Sequence, residues 1–167
     1  NQILDNIGSR PIVLIQTSPQ TAYSNLVNPR GIGPNQATPA FDYFAQALQA
    51  GMAAAGRELL QLSYEEAHPW LAAGADASKY TIIAVLENYP LPGEDFEQAS
   101  SFALLEKIAQ KFASQLVLVG LRNAYQAMPP LASYVCAYGS RACSAEAAAQ
   151  ICLGSTRLTE ESLAQYG

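Results

Sequence analysis

Two rhythms of apolar residues run through the chain. Near-continuous apolar runs occupy residues 12–16 (Ile-Val-Leu-Ile-Gln), 59–62, 80–86, 116–121 and 133–138. Short runs without polar alternation, bounded by proline, glycine and hydroxyl residues, suit strands covered on both faces. Between them the apolar positions recur at helical spacing. Phe41, Phe44, Ala45, Leu48, Met52 and Ala55 mark one helix, with Thr38 placed as its N-cap, Pro39 at its first position and Gly56 as its stop. Ser63-Tyr64-Glu65-Glu66 reads as a capping box opening a brief helix that Pro69 complicates. Ala99, Phe102, Leu105, Ala109 and Phe112 mark a third helix, with Glu94, Asp95 and Glu97 near its start and Lys107 and Lys111 toward its end, as the helix dipole favours. Ser144 is expected to cap an alanine-rich helix that Gly154 stops, and Thr159-Glu160-Glu161 could open a last turn. Residues 19–39, rich in Asn, Pro, Gly and Gln, have neither rhythm and read as a long surface loop, a length more often functional or mobile than merely connecting.

Strands alternating with helices call for crossovers that return over one face of a parallel sheet. The expected fold is α/β: a three-layer α/β/α sandwich around a mostly parallel sheet of five to six strands, flavodoxin-like in a broad sense. Eight units would be needed for a barrel. Ligands of such open sheets sit outside the carboxyl ends of the strands, so the residues just after strands are the ones to watch.

Composition narrows the partners. The 167 residues are 50% hydrophobic and 14% charged, enough apolar material for one domain, assigned to residues 11–167 with 1–10 as a linker remnant. A formal charge of -5 offers no footprint for nucleic acid or an anionic membrane. No apolar run reaches the roughly 18–20 residues that span a bilayer, and a cytoplasmic location is expected. Cys136, Cys143 and Cys152 fit neither a CxxC pair nor a metal framework and read as reduced thiols; with His68 the only histidine, no metal site and no cofactor is expected.

Chemistry is sparse. The turn after the first strand, Thr17-Ser18-Pro19-Gln20-Thr21, holds no glycine, and Arg30-Gly31-Ile32-Gly33-Pro34 falls well past the strand, so a dinucleotide or P-loop fingerprint is missing. A phosphate loop of Ser and Thr remains a minor alternative, with Pro19 removing one donor. A nucleophile elbow is missing too, and His68, between Ala67 and Pro69, reads as a packing or surface residue. Glu87, Glu94 and Asp95 cluster after the third strand as a possible carboxylate pair. Their plainer roles are helix N-terminal acids for Glu94 and Asp95, and a solvated strand end for Glu87.

Residues 116–125 (Leu-Val-Leu-Val-Gly-Leu-Arg-Asn-Ala-Tyr), then 134–140 (Tyr-Val-Cys-Ala-Tyr-Gly-Ser), then the helix running from Ser144 to Leu153-Gly154 follow one another in a recognisable order. This series resembles the C-terminal α/β domain of family-three glycoside hydrolases, whose pattern is a hydrophobic strand, an Asn-Pro-Tyr turn, a strand ending Ala-Tyr and a helix ending Phe-Gly. Ala124 stands where the family commonly has proline. The resemblance implies a parent enzyme whose (β/α)8 barrel carries the catalytic aspartate and most sugar contacts, with the present chain as its accessory domain, inactive alone. In the β-glucosidase branch a glutamate of this domain acts as acid/base, in a motif like Gly-Glu-x-Pro-Tyr-x-Glu. The matching stretch is Leu86-Glu87-Asn88-Tyr89-Pro90-Leu91-Pro92, so Glu87 meets the first glutamate but Pro92 falls at the acid/base position, where it can transfer no proton. The chain therefore looks more like the exo-acting β-N-acetylhexosaminidase branch, which keeps that group on the barrel; Glu87 and Glu94 are fallbacks. The implied partners are the barrel and a carbohydrate at the interface. The alternative is a stand-alone module binding a sugar or nucleotide at its strand ends through Asn88, Tyr89, Arg122, Asn123, Tyr138 and Arg141, which combine stacking faces with donors.

Overall fold

A computed structural model describes residues 10–19, 39–76, 78–87, 98–121, 129, 131–139 and 141–155. In it the apolar runs become β1 (Ile12–Gln16), β2 (Leu59–Leu62), β3 (Thr81–Glu87), β4 (Leu116–Leu121) and β5 (Ser133–Cys136), and the helical stretches become α1 (Ala40–Ala54), α2 (Tyr64–Ala72), α3 (Gln98–Phe112) and α4 (Ala142–Leu153). The five strands form one sheet in the order β2-β1-β3-β4-β5. Every pairing is parallel, with Ile12 opposite both Leu59 and Thr81, Ile82 opposite Leu116, and Val117 opposite Ser133.

Handedness explains the layers. The chain steps outward from β1 to β2 and then back across β1 to β3, and two right-handed crossovers in opposite directions place their helices on opposite faces. Alternate residues of each strand serve the two cores accordingly. Ile12, Leu14, Ile83, Val85, Val117, Val119, Leu121 and Val135 meet α1 and α4. Val13, Ile15, Ile82, Ala84, Leu86, Leu116 and Leu118 meet α2 and α3. The sandwich is thus α/β/α, with β1, β3 and β4 buried along their whole length.

Several local signals act as the sequence implies. Ser63 accepts from the Glu66 backbone at 3.2 Å while Glu66 accepts from the Ser63 backbone at 2.9 Å, a complete capping box. The same bonds hold the Glu66 carboxyl below its ordinary value. Pro69 sits inside α2 on its exposed side without ending it. Gly154 ends α4 with φ 73°, a left-handed conformation that suits glycine.

Several boundaries differ from expectation, beginning with β3, which runs Thr81–Glu87 and not 80–86. Pro39 has an extended ψ of 145° and is the N-cap of α1, so the helix starts at Ala40 and ends at Ala54, just short of Gly56. Thr38, expected as the cap, lies outside the described residues. β5 stops at Cys136 because the chain turns at Tyr138, whose φ is 50°. Ser144 lies inside α4, which opens at Ala142 because Arg141, with extended backbone, is its N-cap and accepts from the N–H of Ser144 at 3.0 Å. Residues 1–9 of the expected 1–10 linker, most of the 19–39 loop and the turn at 159–161 also lie outside the described residues.

Gly120 in β4 is demanded by its neighbour: a Cβ there would lie 2.5 Å from the Tyr134 hydroxyl on β5. Gly120→Val is expected to cost about 1–3 kcal/mol through overpacking, seen as a lower urea midpoint with an unchanged slope. Among the described residues no helix is long and apolar enough to cross a membrane.

Candidate functional site

Strand order reverses between β1 and β3, and in open α/β sheets the crevice for ligands lies beyond the carboxyl ends of the strands at such a point. The described residues there are Gln16 at the end of β1, Thr17 and Ser18 just after it, and Glu87 at the end of β3, joined by Ser101 from α3. All five side chains belong to residues that are buried although polar, a costly arrangement unless their groups are paired.

The hydroxyls are paired, to the neighbouring strand. Thr17 Oγ1 donates to the Val85 carbonyl at 2.8 Å, as does its own N–H at 3.1 Å. Ser18 Oγ donates to the Glu87 carbonyl at 3.2 Å, and Ser101 Oγ donates to Ser18 Oγ at 3.5 Å. These bonds pin the end of β1 to the end of β3. The hydroxyl protons that a Ser/Thr phosphate loop would offer to a ligand are thereby committed to the fold.

Glu87 lies 2% exposed, which corrects the expectation that it solvates a strand end. Its position on the α1 side of β3 directs the carboxyl at the first turn of α1, where Oε1 accepts the N–H of Phe41 and the Ala40 N–H also bonds to the carboxyl. The helix has no side-chain cap of its own from Pro39, so Glu87 serves in its place. Oε2 is buried and has no hydrogen-bond partner among the described residues. Burial pushes the carboxyl up from 4.5 to about 8, outweighing the two backbone N–H groups that favour the anion. Asp42, beside this contact in the first turn of α1, is also raised by partial burial.

Other sequence candidates scatter. Asn88, Tyr89, Glu94, Arg122 and Asn123 lie outside the described residues. Tyr138 is 67% exposed just past β5, and Arg141, also exposed, caps α4. Both are therefore at the carboxyl edge, but neither is brought to Glu87 by any contact among the described residues. His68 packs edge-on against Tyr64, with ring centroids 4.9 Å apart. All three cysteines are free, Cys152 is buried with its thiol pushed up to about 12 by desolvation, and no group of three metal-ligating side chains occurs among the described residues.

A hollow of about 370 Å³ lies elsewhere, lined by Gly51, Met52, Arg57, Leu153 and Ser155. It sits at the opposite edge of the sheet, where Arg57 donates to the carbonyl of Arg10 just before β1 at 3.0 Å. Sequence reasoning missed Thr17, Ser18 and Ser101 as a connected set. The available signal was a Thr-Ser pair directly after an apolar strand; Ser101 has no local signal at all. No family model, curated protein or solved structure gives a significant match to the chain.

Proposed function

We propose that this chain is the accessory α/β domain of a family-three glycoside hydrolase of the exo-acting β-N-acetylhexosaminidase type, packing on a (β/α)8 catalytic barrel and completing the rim of its sugar site. The observation that carries this reading is the placement of the segments bearing the resemblance. Residues 116–121 form β4, residues 133–136 form β5, and Leu153-Gly154 ends α4 with the glycine left-handed. They are consecutive elements of a parallel three-layer fold, as that domain requires. The chemistry is compatible with an accessory role: Glu87 is turned inward onto backbone N–H groups, away from any position from which it could protonate a glycosidic oxygen.

The test is the size of the native protein in lysate of the source cell, probed with an antibody to this domain. A band on the order of 45 kDa or more is expected, since barrels run to about 250 residues. The isolated chain should leave β-N-acetylglucosaminides intact, and deleting residues 11–154 from the parent should lower its hydrolysis of them. A native band near 17.8 kDa would overturn the proposal and favour a stand-alone binding module.

A further inference from the structure

We propose that Glu87 is a proton-gated clamp: with its proton on, the buried side chain ties the end of β3 to the first turn of α1, and loss of the proton favours opening of that tie to water, because the anion's second oxygen is buried without a partner among the described residues even though its first oxygen becomes the stronger acceptor. The inference stands apart from the glycosidase reading and concerns this chain in any context. It rests on an asymmetric carboxyl. One oxygen accepts the Phe41 N–H at the start of α1, while the other is buried with no hydrogen-bond partner among the described residues. A neutral carboxyl leaves only a weak dipole unsatisfied there. An anion leaves a charged oxygen in dry surroundings, and charged groups without partners are the most costly to bury.

Among the described residues nothing offsets that charge. At the end of β1 the side chains are Gln16, Thr17 and Ser18, on β4 the residue opposite Glu87 is Leu121, and Ser101 of α3 reaches Ser18, all uncharged. The first turn of α1 contributes Asp42, an acid, and Tyr43. At the start of α4, which packs with α1 on the same face, Arg141, Cys143 and Glu146 are exposed. No charged side chain contributes to the upward shift of Glu87, which is set by burial against the two helix N–H groups. The N–H groups of one helix end, worth about half a charge, favour the anion but are outweighed by the cost of burying it.

The clamp lies at a junction. Glu87 is the last described residue before 88–97, and Pro39, one residue ahead of α1, follows the 20–38 stretch. Holding or releasing α1 against β3 therefore sets the points from which both segments leave the carboxyl edge of the sheet.

Hydrogen exchange of the Phe41 amide and the ¹³C shift of the Glu87 carboxyl, followed by NMR on the full chain from pH 4 to 10, test this directly. The carboxyl should titrate near pH 8. The protection factor of Phe41, corrected for intrinsic exchange, should fall by up to about tenfold per pH unit between the ordinary carboxyl range and that midpoint, then level off. In Glu87→Gln the protection should become independent of pH. A carboxyl that titrates near 4–5 overturns the proposal, as does a Phe41 protection factor that ignores the titration or that falls equally in the glutamine variant. The wild-type measurements decide the matter even if that variant fails to fold.

Discussion

At pH 8 the Glu87→Gln chain should be more stable than wild type, and the advantage should shrink as the pH falls. The unfolded carboxyl ionises near 4.5, whereas the folded one holds its proton until about 8. Between those values the folded state binds more protons than the unfolded state, so wild-type stability falls with rising pH, by at most about 1.4 kcal/mol per unit. Below the window both states are protonated and the loss vanishes; above it the loss is constant. Glutamine cannot ionise yet keeps an oxygen for the Phe41 N–H, so its contribution stays flat. Near pH 5 the two chains should differ by about 1 kcal/mol or less. Glu87→Ala removes the acceptor as well and should cost about 1–3 kcal/mol at that pH by leaving the first N–H groups of α1 unpaired. Urea melts of the three chains at a series of pH values provide the measurement. A constant difference between wild type and glutamine variant from pH 5 to 8 would contradict the expectation.

Phe44→Ala should be the most damaging single truncation in the core beneath α1. Phe44 has 0% exposure and lies in the cluster that includes Ile12, Leu14, Val85 and Val119, on the face that α4 also covers. Removing a buried ring leaves a cavity that a sheet fixed by parallel pairings on both sides of β1 and β3 can only partly close. The expected cost is about 3–5 kcal/mol, or a fall in melting temperature on the order of 10 °C for a domain of this size. Gln49→Ala on the exposed side of the same helix should change stability by less than about 0.5 kcal/mol. Calorimetry of both variants against wild type separates burial from helix propensity, because alanine favours the helix in each.

Much of the fold was legible because its signals are local. The runs at 12–16, 59–62 and 116–121 match β1, β2 and β4 to the residue, and the Ser63–Glu66 box works within one turn. The start of α1 was not legible for the opposite reason. Its cap is supplied by Glu87, 46 residues away from Phe41, and only the completed crossover brings them together. Glu87 also shows how an acid after an apolar strand misleads: on a strand, residues 83, 85 and 87 share a face, and that face is interior. The apolar pattern overstates β5, because Ala137 and Tyr138 continue it while the backbone leaves the strand at Tyr138. Of the candidate site, the location at strand ends followed from topology rules, whereas the Thr17, Ser18 and Ser101 bonds depend on registers that no single stretch encodes.

The strand order also bears on biosynthesis. β1 is translated before either of its sheet neighbours, β2 and β3, so its five buried residues emerge from the ribosome with no strand to join. At about 5–20 residues per second, Ile12 waits seconds for Leu59 and longer for Thr81. During that interval Ile-Val-Leu-Ile is an exposed apolar segment with free backbone groups on both sides, the kind of sequence that chaperones shield or that pairs with another nascent chain. Yield of the folded chain should therefore depend on translation rate and chaperone supply more than its finished stability suggests.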